Sequence, residues 1–259
     1  MVTVQTRITL PDLHVPFHDK KLLEVWMKRL EKGNGFGKFH GVDIIGDFID
    51  CYSLSRFDSN PERKNTFQQE LDEGQAILQR IRETVPNADI RYSEGNHEDR
   101  LRKILWGKSS ALAHLRHLRI PVLLGLEELG ISWHDPLHPY KIGDLWYSHG
   151  DLLRKHAGQS ARAKSEAMSG SVMIGHCHRM GWSPCTTHAL VTDAYECGHM
   201  SDASQLDYVR NVFNWQSGWA EVNFRDGYHW VDFYRVIDRG RERVIVGPEG
   251  VLASYRTKR

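Results

Sequence analysis

Five short stretches concentrate side chains able to bind metals or move protons. They are PDLH (11–14), GDFID (46–50), GNHE (95–98), SHGD (148–151) and GHCH (175–178). Each contributes Asp, Asn or His. Asp12 and His14 stand two apart, as do His176 and His178. On an extended backbone each pair would point one way and aim two ligands at one site. Carboxylate, imidazole and amide oxygen together suit divalent ions such as manganese, iron, zinc or nickel, and no thiolate belongs to the set. So many donors exceed the needs of one ion. Two ions about 3.5–4 Å apart, bridged by one carboxylate, would use them well. Any one block has a plain structural reading: GHCH as two surface histidines, GDFID as a turn with a helix cap. The ordered set is what carries weight.

The elements that must position these blocks alternate through the first part of the chain. RITLPDLH (7–14) reads as a strand, and 19–33 as a helix with Leu22, Leu23, Trp26, Met27 and Leu30 at helical spacing. VDIIGD (42–47) is a second strand. Residues 60–87 form the longest helical pattern, with Asn60 as cap, Pro61 in the first position and Pro86 past the end. ADIRYSEGN (88–96) is a third strand. This alternation is the signature of a layered α/β domain. The Gly-rich GNGFGKFHG (33–41) neither follows a strand nor ends in Lys-Ser or Lys-Thr, so it is not a phosphate-binding P-loop. Residues 97–130 look helical and irregular. From 131 onward short strands dominate, with one helix near 158–168. Four of the five blocks follow apparent strands and SHGD closes one, so all five can converge on one sheet edge. The simplest organisation is a single domain over 1–259: a motif-bearing part, 7–180, and a strand-rich part, 181–259, that completes the second sheet.

Composition narrows the function. The chain has 259 residues, 40% of them hydrophobic, enough for a sizeable core. The 34 basic and 33 acidic residues nearly balance, so no global polyanion-binding field is implied. The 15 histidines are many for this length. MVTVQTRITL does not read as a signal peptide, and no apolar run is long enough for a membrane helix. Cys51, Cys177, Cys185 and Cys197 lack a repeating spacing and read as reduced thiols.

The ordered blocks resemble the calcineurin-like metallophosphoesterase superfamily, whose pattern is D-x-H, G-D-x-x-D/H, G-N-H-D/E, a lone His, and G-H-x-H. All occur here in order from Asp12 to His178. The resemblance implies an α/β (α+β) fold, a four-layer αββα sandwich of two mixed sheets flanked by helices. It implies that Asp12, His14 and His178 hold one metal, that Asn96, His149 and His176 hold a second, and that Asp47 bridges both. Manganese is the first choice of ion, with iron, zinc or nickel as the others. His97 would bind no metal. It would act as general acid toward the leaving oxygen, with Asp50 orienting it. The implied activity is hydrolysis of a phosphodiester or phosphomonoester by a hydroxide shared between the metals.

The family's protein-phosphatase branch follows GDxxD with Arg-Gly, and that Arg grips phosphate. Here Cys51 and Tyr52 follow, which leaves Arg100 or Arg56 as substitutes. Basic residues with aromatics follow GNHE (Arg100, Arg102, Lys103, Trp106, Lys108, Arg116, Arg119) and SHGD (Arg154, Lys155, Arg162, Lys164). They favour a nucleotide or nucleic-acid substrate. The alternatives are a phosphoprotein or small-metabolite phosphatase and a catalytically silent binding module on the same fold. GDFIDCYSLSRFD and GNHEDRL also resemble small phosphoesterases of bacteriophages and bacteria, which implies a stand-alone enzyme of the prokaryotic or virus-infected cytoplasm with no membrane partner. The sequence leaves the oligomeric state open, a homodimer included.

Overall fold

A computed structural model describes residues 4–56, 60, 62–206 and 214–257. The strand expected at 7–14 is β1, Gln5–Leu10, and it stops before the first block. It leads through α1 (Lys20–Lys32) to β2 (Gly41–Ile44), through α2 (Phe67–Thr84) to β3 (Asp89–Ser93), and through α3 (Asp99–Lys108) and α4 (Ile120–Leu123) to β4 (Ile131–His134). β1 to β4 pair in parallel, in that order. Parallel pairing needs helical crossovers that cover the sheet, which is why all four residues of β2 are buried.

α1 shows how sequence sets this layer. The Asp19 carboxylate accepts from the amides of Lys21 and Leu22, and the expected Leu22, Leu23, Trp26, Met27 and Leu30 all face inward. Trp26 Nε1 donates to the Thr9 carbonyl of β1 at 2.9 Å. α2 begins later than residue 60. Thr66 caps it in a capping box with Gln69, while the Asn60 side chain accepts from the Glu62 amide instead. Pro61 lies outside the described residues.

The second sheet is built from β5 (Tyr140–Ile142), β6 (Leu145–Tyr147), β7 (Ser171–Ile174), β8 (Met180–Thr186) and β9 (Val191–Cys197), in the order β5-β6-β7-β9-β8. α5, Gln159–Met168, joins β6 to β7 and packs Ala161 on Val172, Ile174 and Ala194. The last four strands are β10 (Gly218–Arg225), β11 (Tyr228–Arg239), β12 (Glu242–Gly247) and β13 (Gly250–Arg256). Only part of the expectation for 181–259 holds. β8 and β9 complete the second sheet, but β10 to β13 extend the first, because β10 pairs antiparallel with β1. The first sheet therefore has eight strands.

The two sheets face each other. Tyr147, Met173, Tyr195 and Cys197 of one pack on Ala220, Val222 and Phe224 of the other. A buried ionic node joins them: Arg7 of β1 meets Asp43 of β2 through Nε and Nη2 at 2.8 Å each, and the Tyr140 hydroxyl of β5 donates to Asp43 at 2.9 Å. With α1 and α2 outside the first sheet and α5 outside the second, the layers run αββα. No helix among the described residues is long and apolar enough to cross a membrane.

Candidate metal centre

The five blocks occupy the loops after β1, β2, β3, β6 and β7. His149 follows β6 by two residues, so SHGD succeeds its strand as the other blocks do. Those five strands end toward one rim, and the rim collects the side chains.

The backbone does not aim the ligands by strand alternation. Asp12, His14, Asp47, His176 and His178 all have positive φ, between 39° and 64°. That left-handed region is rare outside glycine and costs on the order of 1–3 kcal/mol per residue. Its concentration on the candidate ligands marks a strained site that the surrounding packing enforces. Gly95 is needed for a different reason than its place in a Gly-Asn turn suggests. A Cβ there would come within 2.2 Å of the Asp47 backbone N and Oδ1. At Gly175 a Cβ would lie 2.4 Å from Asp12 Oδ2. Both positions exclude any side chain so that neighbouring loops can close on the ligands.

Two sets of donors result, side by side. Asp12, His14 and His178 form one, and Asp47, His149 and His176 the other. In the first, His14 Nε2 is 3.1 Å from His178 Nε2, and the latter is 3.4 Å from Asp12 Oδ1. In the second, His149 Nε2 is 3.3 Å from Asp47 Oδ2 and 3.2 Å from Asn96 Oδ1. Asp47 Oδ2 is also 4.0 Å from His14 Nε2, so this carboxylate stands between the sets. All seven residues assigned to the metals from the sequence thus converge.

The outer contacts fix ring orientation. His149 Nδ1 donates to the Ile45 carbonyl at 2.7 Å and His14 Nδ1 meets Asp50 Oδ2 at 2.9 Å, which turns both Nε2 atoms into the cluster. The His176 amide donates to Asp12 Oδ1 at 2.9 Å, and the His97 amide to Asp47 Oδ1 at 2.9 Å.

The donor set fits divalent cations on its own chemistry. Asp12 and Asp47 are buried. Burial pushes the Asp12 carboxyl well above its usual range; it acts the same way on Asp47, but His149 and His97 hold that carboxyl well below. Burial drives His178 well below the usual histidine value, its Nδ1 has no hydrogen-bond partner among the described residues, and its Nε2 faces another imidazole nitrogen. Burial lowers the His149 imidazole too, but Asp47 outweighs it and holds that group up at about 10, so a bound ion would displace its proton. Imidazole and carboxyl donors crowded this closely are those that a divalent ion makes favourable.

A third group, His14, Asp50 and His97, adjoins the first. Asp50 serves both histidines. Its carboxylate takes His14 at 2.9 Å and lies 3.3 Å from His97 Nδ1, whose closest partner is the Asp50 carbonyl at 2.8 Å. His97 Nε2 is left facing the cluster, 3.8 Å from Asp47 Oδ2. Arg100 reaches it, with Nη2 3.0 Å from that Nε2. Arg56 is exposed beyond the short helical turn Tyr52–Leu54.

Residues with no role assigned from the sequence also shape the site. Buried Glu98, the last residue of GNHE, accepts from the amides of Asp47, Phe48, Ile49 and Gly95 and from the Tyr92 hydroxyl. Buried Glu70 of α2 accepts from the Tyr52 amide at 3.1 Å. Two carboxylates thereby pin the loop that carries Asp47 and Asp50. His199 stacks on His178 with centroids 5.0 Å apart, and Trp215 meets the same ring edge-on at 4.3 Å. The GNHE block itself could have pointed to Glu98, whereas nothing local marks Glu70, His199 or Trp215.

The basic stretches are less available than their composition suggests. Arg102 pairs with Asp99 and Glu94, Lys103 with Asp99, Arg162 with Glu166 and Lys164 with Asp151.

No family model matches the chain. It is 26% identical over 236 residues to the Gene 54 protein of Mycobacterium phage D29, spanning 86% of this chain and 89% of that one. It is 27% identical over 237 residues to the Gene 54 protein of Mycobacterium phage L5, with the same coverage. Among solved structures it is similar to wild-type Vps29 of Entamoeba histolytica complexed with zinc, at 12% identity and a TM-score of 0.48, over 94% of this chain and 99% of that one.

Proposed function

We propose that this protein is a dimetal-dependent phosphoesterase of the calcineurin-like kind, acting on a phosphodiester or phosphomonoester of a nucleotide or nucleic acid. One observation carries the reading: two compact donor sets lie on either side of Asp47 Oδ2, with His97 Nε2 beside them. Asp12, His14 and His178 would hold one ion, Asn96, His149 and His176 the other, and Asp47 both. Divalent ions bound there supply the positive charge that draws a phosphoryl group in and acidifies water.

The chain's own residues do the rest. His97 exchanges a proton with the leaving oxygen through Nε2, since Nδ1 is engaged by Asp50. Arg100 presents its guanidinium to the same spot and grips a phosphoryl oxygen, in the role that the missing Arg after GDFID would have filled. Asp50 positions both His97 and His14. Glu98 and Glu70 hold the loop that carries both aspartates.

Manganese-dependent hydrolysis of a matched aryl monoester and diester tests the reading, with His97→Ala as control. Turnover of either ester that needs both manganese and His97 is the expected result. No turnover with any of the four metals, from protein that binds fewer than two ions per chain, would overturn it in favour of a silent binding module. Preference for the diester would direct the search to nucleic acids and cyclic nucleotides. Preference for the monoester would direct it to nucleotides, phosphorylated nucleic-acid ends and phosphopeptides.

A further inference from the structure

Two concavities run away from the cluster on the His178 side. The nearer, about 310 Å³, is lined by Trp215, Gln216, Arg235 and neighbours. The farther, about 670 Å³, is lined by Met180, Trp182, Phe233 and others. Gln216 and Arg235 line both, so the two form one groove. Either alone is within the size range of a ligand site, and together they exceed what one base needs.

The near end touches the cluster through Trp215, packed edge-on against His178. The floor is fastened to the GHCH loop: the Gln216 amide donates to the His178 carbonyl at 2.9 Å, and Gln216 Oε1 accepts from the Met180 amide at 3.1 Å. The far end carries Trp182, 59% exposed although its Nε1 donates to Asp193 at 2.7 Å. That bond orients the indole. Arg235 lines both concavities and is exposed, with no side-chain hydrogen bond or ion pair among the described residues. The other arginine of the groove, Arg243, is committed to Asp19 and Asp238.

An exposed aromatic face beside a cation unpaired among the described residues, in a concavity that reaches the candidate metal cluster, suits single-stranded nucleic acid. Bases stack on such a ring whatever their sequence, and the cation follows the backbone. We propose that this groove seats a single strand leading out of the metal cluster, with Trp182 stacking a base and Arg235 meeting an adjacent phosphate. The proposal deepens the phosphoesterase reading, on which it rests only for the chemistry at the near end.

The test compares wild type with the Trp182→Ala/Arg235→Ala double variant. Fluorescein-labelled twelve-nucleotide oligothymidylate is titrated by anisotropy in the presence of chelator, and manganese-dependent turnover of a small aryl phosphodiester is measured in parallel. We expect wild type to bind the twelve-mer at least about tenfold tighter than a thymidylate dinucleotide, and the variant to lose at least about tenfold in twelve-mer affinity, the loss of one stacked base. Aryl-ester turnover should be the same in both proteins. Equal affinity for the two lengths, or a variant that binds the twelve-mer like wild type, overturns the groove. Trp182-dependent binding without any aryl-ester turnover would remove the phosphoesterase reading and leave the groove standing. Turnover with binding indifferent to both substitutions would do the reverse.

Discussion

Arg100 Nη2 lies 3.0 Å from His97 Nε2, and Nη1 of the same guanidinium donates to the Asp50 carbonyl at 2.8 Å. The carbonyl that takes Arg100 is also the one His97 Nδ1 approaches, so hydrogen bonds tie the three residues together. A planar fork can hold a phosphoryl oxygen and leave His97 in place, which a lysine ammonium cannot do as well. Arg100→Ala is expected to lower kcat/KM by roughly 10–100-fold, and Arg100→Lys to recover only part of the loss. His97→Ala should cost about 100–10,000-fold in kcat. Metal content, counted by mass spectrometry, should stay at the wild-type level in all three. Full activity in His97→Ala would sink its assigned role.

Asp47 stands between the two donor sets, 3.3 Å from His149 Nε2 and 4.0 Å from His14 Nε2 through one oxygen. Asp47→Asn removes the shared charge. Calorimetric titration with manganese should show both sites weakened together, by roughly tenfold or more each. Loss of one site with the other intact would argue against bridging.

Glu98 is buried beneath this aspartate and accepts from four backbone amides and one tyrosine hydroxyl. Removing a buried carboxylate strands those donors. Glu98→Ala should destabilise the fold in urea denaturation by at least the cost of one stranded buried donor, about 1–3 kcal/mol. Glu98→Gln, which keeps one acceptor, should lie between it and wild type. Wild-type stability in the alanine variant would show that the loop does not depend on this carboxylate.

Glu70 supplies a pH dependence away from the metal ligands. Burial, with Asp50 adding to it, pushes its carboxyl up to about 7 from an ordinary 4.5, against the pull of the Tyr52 amide. Below 4.5 the group is protonated in both the folded and unfolded chain. Between 4.5 and 7 the folded protein holds the extra proton, so stability falls as pH rises through this window and then levels off. The span amounts to about 3 kcal/mol at most. Urea midpoints measured from pH 5 to 8 should fall less steeply in Glu70→Gln than in wild type. Parallel profiles would assign the dependence to other groups.

The sequence by itself carried the chemistry of the site. Five blocks of fixed order named the donors, and the strand–helix alternation before residue 97 identified the layers and their covering helix α1. Local patterns could do this because ligand type is a property of single residues, and amphipathic spacing is a property of one helix. Where local patterns misled, a partner distant in sequence decided the outcome. The start of α2 is the exception, since Thr66 and Gln69 close a capping box only three residues apart and so displace Asn60 as the cap by a local contact. β8 carries Pro184, which a strand interior disfavours, yet β8 is an edge strand with one unpaired side, where proline is tolerated. β10 to β13 joined the first sheet because β1 offered β10 a free edge, which no feature of residues 218–256 announces. Five of the seven candidate ligands, Asp12, His14, Asp47, His176 and His178, sit on left-handed backbone, and Glu98, Glu70 and the close approaches at Gly95 and Gly175 brace the loops around them. Residue identity is local and so can be read directly, whereas pairing, strain and the partnering of buried charge belong to contacts that exist only once the chain has closed on itself.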